Sequence, residues 1–405
     1  MSVGDTSFPE MFPVAGCELA TASTGVRYSN RDDLLVMAFD EGAEVVGSFT
    51  QNAFSAAPVI LCREHILAPI RALIVNSGNA NACTGDEGIE AARATCQAVA
   101  KELRIDLNQV LPFSTGVIGE LLPYEKIVAA TPELVRGLRP DHWERAAKAI
   151  MTTDTYPKGY SSRVDIEGTE ITISGISKGA GMIRPNMATM LAYIVTDAAI
   201  APNVLQQMHN SLVNLTFNRV SVDGDSSTND SAILVATGKA GNPLIENAES
   251  EAGRAIYSEL RRAYQKLAQD LVRDGEGATK FVTVRVNGGA DAKECLAVGY
   301  AVVESPLVKT AIFASDPNWG RIVCAIGYSD IEGLDASLVD VYLDSVQIVA
   351  NGQRARSYEE AQGSDVFARD EFTIRIELGR GEASESLWTS DLSYEYVRIN
   401  ADYRT

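Results

Sequence analysis

Between Lys178 and Leu191 the chain reads Lys-Gly-Ala-Gly-Met-Ile-Arg-Pro-Asn-Met-Ala-Thr-Met-Leu, near the middle of 405 residues. Two glycines and a proline precede a small residue, Ala188, then Thr189, then the apolar run Met190 to Val195, which has strand length. The fold must therefore pass from a loop into a buried strand at a threonine. A hydroxyl placed just after a small, open residue can attack the carbonyl before it, and flanking Gly and Pro can hold that peptide in a strained geometry. If the Ala188–Thr189 bond breaks, Thr189 becomes an N-terminus carrying nucleophile and base on one residue. The same residues allow a plainer reading, a Gly-rich loop feeding a buried strand with Thr189 as an ordinary β-former.

The rest of the chain intermixes strand-length and helix-period segments. Leu34–Phe39, Val45–Thr50, Ala72–Val75 and Ala232–Ala236 are apolar runs of strand length, and Val110–Gly119 is a strand entering a glycine turn. Val164–Ile166 and Glu170–Ile173 alternate around Gly168 and predict a hairpin leading into Lys178. Helical spacing marks Gly88–Leu103, Pro140–Met151 and Asn203–Leu215. Glu249–Arg273 carries Ile256, Leu260, Tyr264, Leu267 and Leu271 on one stripe, with Gly275 placed as its C′ stop. Phe372–Leu378 and Tyr394–Ile399 alternate like strands. The pattern predicts an α/β fold of layered sandwich type, with antiparallel hairpins, rather than a doubly wound sheet.

Composition narrows the chemistry. A net charge of −19 argues against nucleic acid and anionic membrane surfaces as partners. No run approaches the ~18 apolar residues of a spanning helix, and the N-terminus lacks the basic and apolar regions of a signal peptide, so a cytoplasmic location is expected. Six cysteines without C-x-x-C spacing read as reduced, mostly buried thiols. The three histidines, His65, His142 and His209, sit in no site-like context, so neither a metal site nor a histidine triad is expected. An acyl-transfer enzyme built from this chain needs another proton acceptor.

Several polar strings stand out. Asn76–Gly85 is a loop of small residues suited to left-handed turns. Ser114-Thr115-Gly116-Val117-Ile118-Gly119 reads as a strand and turn, Thr152-Thr153-Asp154-Thr155-Tyr156-Pro157-Lys158 as a helix-ending turn, and Asp274-Gly275-Glu276-Gly277 as a charged helix terminus. Ser315–Ile322 and the final Ile399-Asn400-Ala401-Asp402-Tyr403-Arg404-Thr405 complete the set.

Taken together and in order, these strings resemble the bifunctional ornithine acetyltransferase / glutamate N-acetyltransferase family of arginine biosynthesis. Its members show K-G-[SA]-G-M-I-x-P-N-M-A-T-M before a hydrophobic strand, with N-S-G-N-A-N-A-x-T-G, S-T-G-V-I-G, T-T-D-T-x-P-K, D-G-E-G-A-T-K and a terminal N-A-x-Y-R-T. The departures are slight: Ala180 stands where serine is also common, and Arg184 at a variable position. The resemblance implies an N-terminal-nucleophile-like, self-cleaving architecture, with an α chain of residues 1–188 and a β chain of 189–405 paired as an α2β2 heterotetramer. It implies Thr189 as nucleophile, cleavage between Ala188 and Thr189, and an oxyanion hole at Thr115 and Gly116. Substrate would meet Thr152, Lys178, Thr189, Glu276, Asn400 and Thr405, while the Asn76 loop shapes the site and Ser315–Ile322 is structural. The activity implied is transfer of acetyl from N-acetylornithine to glutamate, with no cofactor. The family contains members with and without acetyl-CoA as a second donor, and no loop here carries a coenzyme A signature.

Three alternatives stay open on the residues. A hydrolase or aminopeptidase of related fold would pass the acyl group to water. A transferase of specialised metabolism would prefer another acceptor. An uncleaved homologue would bind amino acids without turnover.

Overall fold

A computed structural model describes residues 2–184 and 190–402 of the chain. They form two compact units: a larger one of Ser7–Asn218 and Asp225–Leu271, and a smaller one made of the N-terminal residues through Thr6, Arg219–Gly224 and the residues from Val272 onward.

The larger unit contains two sheets. One has the order β1-β2-β4-β5, from Cys17–Ala22, Leu34–Phe39, Ala72–Asn79 and Val110–Val117. The other has the order β3-β10-β8-β7-β6, from Glu44–Phe49, Ser231–Ala236, Leu191–Thr196, Thr169–Lys178 and Lys158–Ile166. Strand alternation explains how the sheets stack. Leu35, Met37 and Phe39 of β2 share one core with Leu73, Val75, Leu111 and Phe113, and with Ile176, Tyr193, Val195, Ile233 and Val235 of the second sheet. Leu34 and Val36, pointing the other way, pack with Ala91, Cys96 and Val99 of the helix Gly85–Leu103 and with Ile127 and Leu134 of the helix Tyr124–Arg136. Beyond the five-stranded sheet lie the helices Pro202–Leu215 and Glu251–Arg273. His209 of the first bridges Ser48 of β3 at 2.9 Å and Tyr264 of the second at 2.7 Å. Burial pushes its imidazole down to about 3, so it serves this contact uncharged. The result is a helix–sheet–sheet–helix sandwich, as the segment pattern predicts.

The smaller unit is a seven-stranded sheet of order β14-β13-β12-β15-β11-β16-β9, from Gln353–Arg354, Val346–Ala350, Asp340–Leu343, Glu371–Glu377, Phe281–Gly289, Ala383–Ser390 and Val220–Ser221. Its core joins Val282, Val284, Ile374 and Ile376 to residues of the helices Ala292–Val303, Pro306–Phe313 and Trp319–Gly327. Among the described residues no single helix is long and apolar enough to cross a membrane. The first two of these helices would suffice only as a pair, and they bend by 57°.

Most strand and helix expectations hold within a few residues. One fails: Tyr394–Ile399 is not a strand but part of the helix Tyr394–Ala401. Its Tyr-Glu-Tyr-Val-Arg-Ile alternation fits either period over so short a run, and Ser393 decides by accepting from the Tyr396 N–H at the N-cap. The long helix ends at Arg273 as expected, but the positive φ lies at Gly277 (71°) rather than at Gly275. The division at 188/189 implied by the resemblance is covalent, and the compact units divide the chain elsewhere.

Candidate active site

The hairpin β6–β7 turns through Glu167 and Gly168, both at positive φ, and carries β7 to Lys178. Lys178 lies opposite Leu191, so β7 ends where β8 begins. The head of β8 is held by Asp230, whose Oδ1 accepts from the Met190 N–H at 2.9 Å, while the Met190 carbonyl accepts from the Ser231 N–H. Ala188 and Thr189, between these anchors in sequence, lie outside the described residues, as does Thr405.

Thr115 and Gly116 come from β5, which pairs in parallel with β4: Ser77 faces Thr115 and Gly78 faces Gly116. Gly116 has φ +138°, and a Cβ there would stand 2.2 Å from the Gly78 carbonyl carbon. Only glycine allows this approach of two backbones. The Asn76 string was expected to be a loop, yet its first four residues extend β4 to Asn79. This ladder with β5 is the cause. The left-handed turn follows at Asn81 and Cys83 (φ 47° and 58°). Asn229 secures the arrangement by donating to the carbonyls of Ala80 and Ser114 at 2.6 and 2.9 Å.

Lys178, only 3% exposed, joins two other expected site residues. Its Nζ donates to Thr115 Oγ1 at 3.1 Å and to Thr152 Oγ1 at 2.8 Å. Beneath it lies Asp154, which sequence reasoning passed over. Its carboxylate accepts from Lys158 Nζ at 2.6 Å, from the Gly179 N–H at 2.7 Å and from the Thr152 N–H at 3.0 Å. Burial opposes its charge, but Lys158, Lys178 and the Gly179 N–H outweigh burial and hold the carboxyl well below the usual range. The available signal was the Asp154–Lys158 spacing within the T-T-D-T-Y-P-K string. Asp230, at the end of a string legible only as a Gly–Asp loop, was equally overlooked.

The smaller unit brings together the other two expected residues it holds. Asn400 Nδ2 donates to Glu276 Oε2 at 2.7 Å. The turn bearing Glu276 is fastened by Ser393, whose hydroxyl donates to the Gly277 carbonyl at 2.6 Å. A Cβ on Gly277 would meet the Tyr396 nitrogen at 2.5 Å. Ser315–Ile322 forms a helix connection: Asn318 caps the helix Trp319–Gly327, and Arg321 donates to the Leu307 carbonyl at 2.8 Å.

A cavity of about 680 Å³ is lined by residues such as Val14, Phe39, Arg71 and Leu138 and by none of the expected site residues. Polar convergence marks the candidate site. Among the described residues no group of three or more His, Cys, Asp or Glu could hold a metal ion.

Comparison with known proteins shows what the chain is similar to. The arginine biosynthesis bifunctional protein ArgJ of Pseudomonas fluorescens is 54% identical over 405 residues, covering 100% of both chains. The protein of that name from Pseudomonas syringae pv. tomato matches equally, at 54% over 405 residues and 100% of both. The crystal structure of the arginine biosynthesis bifunctional protein ArgJ from Bacillus halodurans is 38% identical with a TM-score of 0.51, covering 53% of this chain and 99% of that one. A family model described as the ArgJ family matches residues 18–405, and the chain therefore belongs to the ArgJ family.

Proposed function

We propose that the chain transfers the acetyl group of N-acetylornithine to glutamate through an acetyl-Thr189 intermediate, as an acetyltransferase of arginine biosynthesis. The observation that carries this reading is the convergence of Thr115, Thr152 and Lys178 beside the point where β8 begins, two residues after Thr189 in sequence.

The precursor first cuts itself. The Thr189 hydroxyl attacks the Ala188 carbonyl, the peptide becomes an ester, and water hydrolyses it. Chains of 188 and 217 residues result, together the 405 of the precursor. The Bacillus halodurans chain supports this, because almost its whole length matches 53% of this chain, close to the share of a 217-residue piece.

The freed α-amine, with a pKa of about 7.7–8, takes the hydroxyl proton as Thr189 attacks the acetyl carbonyl. Thr115 and Gly116 donate to the oxyanion, where one donor is worth about 3–4 kcal/mol. Ornithine leaves with the proton, glutamate enters, and its amine takes the acetyl group from the ester. Lys178 suits the substrate carboxylate and Glu276 its free amino group, and the family strings imply further substrate contacts from Thr152, Asn400 and Thr405. One pocket serving two amino acids in turn implies ping-pong kinetics.

Acetyl-CoA as a second donor is supported by the word bifunctional in the relatives' names. A cytoplasmic α2β2 assembly without a cofactor completes the proposal. The test is an assay of N-acetylornithine turnover with and without glutamate, in the wild type and in Thr189→Ala. Glutamate-dependent ornithine release, lost in the variant, is expected. Acetate release indifferent to glutamate would instead favour a hydrolase.

A further inference from the structure

Asp154 ties three segments of the larger unit to one carboxylate. It accepts from Lys158, which follows it on β6, from the Thr152 N–H in its own turn, and from the Gly179 N–H where the chain leaves β7. The side chains of Asp154 and Lys158 are fully buried, and Lys178 is 3% exposed. The Lys178 ammonium belongs to this nearly dry cluster. That charge faces two hydroxyls.

A threonine hydroxyl has a single hydrogen. Where its oxygen accepts from an ammonium, as those of Thr115 and Thr152 do from Lys178, the hydrogen is left to donate elsewhere. Such a hydroxyl is polarised by the bond it receives and becomes the stronger donor. The same geometry fails if Lys178 turns or loses its proton, and a buried ammonium keeps its charge only with a counter-charge nearby.

Resting on the acetyl-transfer reading above, we propose that Asp154 is a positioning residue for that reaction. Its carboxylate holds Lys178 charged and aligned, so that the lysine polarises the Thr115 and Thr152 hydroxyls toward the reacting acetyl group and its carrier. The residue acts through Lys178 and Gly179 rather than by touching substrate.

The test compares the wild type with Asp154→Asn and with Asp154→Asn/Lys158→Met. The single variant removes the carboxylate in contact with buried Lys158 and can fail to fold, whereas the double variant removes one charge of each sign. Thermal midpoint, fraction cleaved by intact mass, and kcat and KM per cleaved chain are read for each. The expected result is a double variant that recovers most of the midpoint, loses kcat by about 100-fold, and keeps its KM for N-acetylornithine within about fourfold, the pattern of misplaced rather than missing groups. Recovery of kcat to within about twofold of the wild type would overturn the proposal, because Asp154 would then serve only to neutralise Lys158. So would a loss carried wholly by KM. A failure of the underlying reading looks different, since the wild-type chain itself would then show no glutamate-dependent turnover.

Discussion

The two units each bury lysines, and they solve the resulting charge problem differently. In the larger unit Lys158 has the Asp154 carboxylate at 2.6 Å, and Lys178 shares its field. In the smaller unit Lys309 is as deeply buried, yet its Nζ donates to neutral oxygens, Thr389 Oγ1 at 2.8 Å and the Ser390 carbonyl. Burial pushes the Lys309 amine down to about 8, although Asp391, Asp223 and Glu304 pull it upward from a distance. A carboxylate in contact offsets the burial of an ammonium directly, whereas carboxylates at a distance offset it only in part. The direct contact lies in the cluster that also holds Lys178, Thr115 and Thr152.

Breaking the contact pair has the largest expected effect. Asp154→Asn removes the carboxylate in contact with buried Lys158 and should cost about 3–5 kcal/mol of stability at pH 7. The sign follows from the lowered carboxyl: its contribution is complete above the ordinary carboxylate range and is lost as pH falls through and below it. Urea unfolding of both proteins should therefore show a gap that starts to narrow below about pH 4. A gap unchanged from pH 7 to pH 3 would contradict the pairing.

Next comes the functional division between the units. Thr115→Ala removes the proposed oxyanion donor and should lower kcat by about 10²–10³ with little change in KM. Glu276→Gln should do the reverse, raising KM while kcat stays within about threefold. Steady-state kinetics on the two variants sharpens the comparison, and identical kcat losses would erase it.

Lys309 gives a smaller effect of the same pH sense, in an alkaline rather than an acid window. Its folded value lies below its unfolded value of 10.5, so the native state binds fewer protons and gains stability as pH rises from about 8 toward 10.5. Relative to Lys309→Met, the wild type should gain up to about 3 kcal/mol across that window. Chemical denaturation at pH 7.5 and 10.5 reads the difference. The smallest change is expected for Asn400→Ala, which loses an exposed hydrogen bond to Glu276. Stability should move by less than about 0.5 kcal/mol, with KM rising a few-fold.

Legibility in the sequence followed the same division. Strands such as Leu34–Phe39 and the helix Gly85–Leu103 were readable because their apolar residues recur at the period of the element that buries them. The contiguous strings located Thr115, Lys178 and Glu276 as site candidates. Asp154 stayed hidden because its role depends on Lys178 and Gly179, 24 and 25 residues away in sequence and brought close only through the sheet. The helix at Tyr394 was misread because six alternating residues carry less information than one capping hydroxyl.

The account rests on a threonine that becomes both a chain terminus and an acyl carrier. Intact-mass and N-terminal sequence analysis of the purified protein, quenched during turnover of N-acetylornithine without glutamate, tests this most directly. The expected result is two chains, the second beginning at Thr189 and bearing one acetyl group on that residue, with Thr189→Ala remaining a single unmodified chain. A wild-type chain that stays whole while transferring acetyl groups, or an acetyl group carried by another residue, would contradict it.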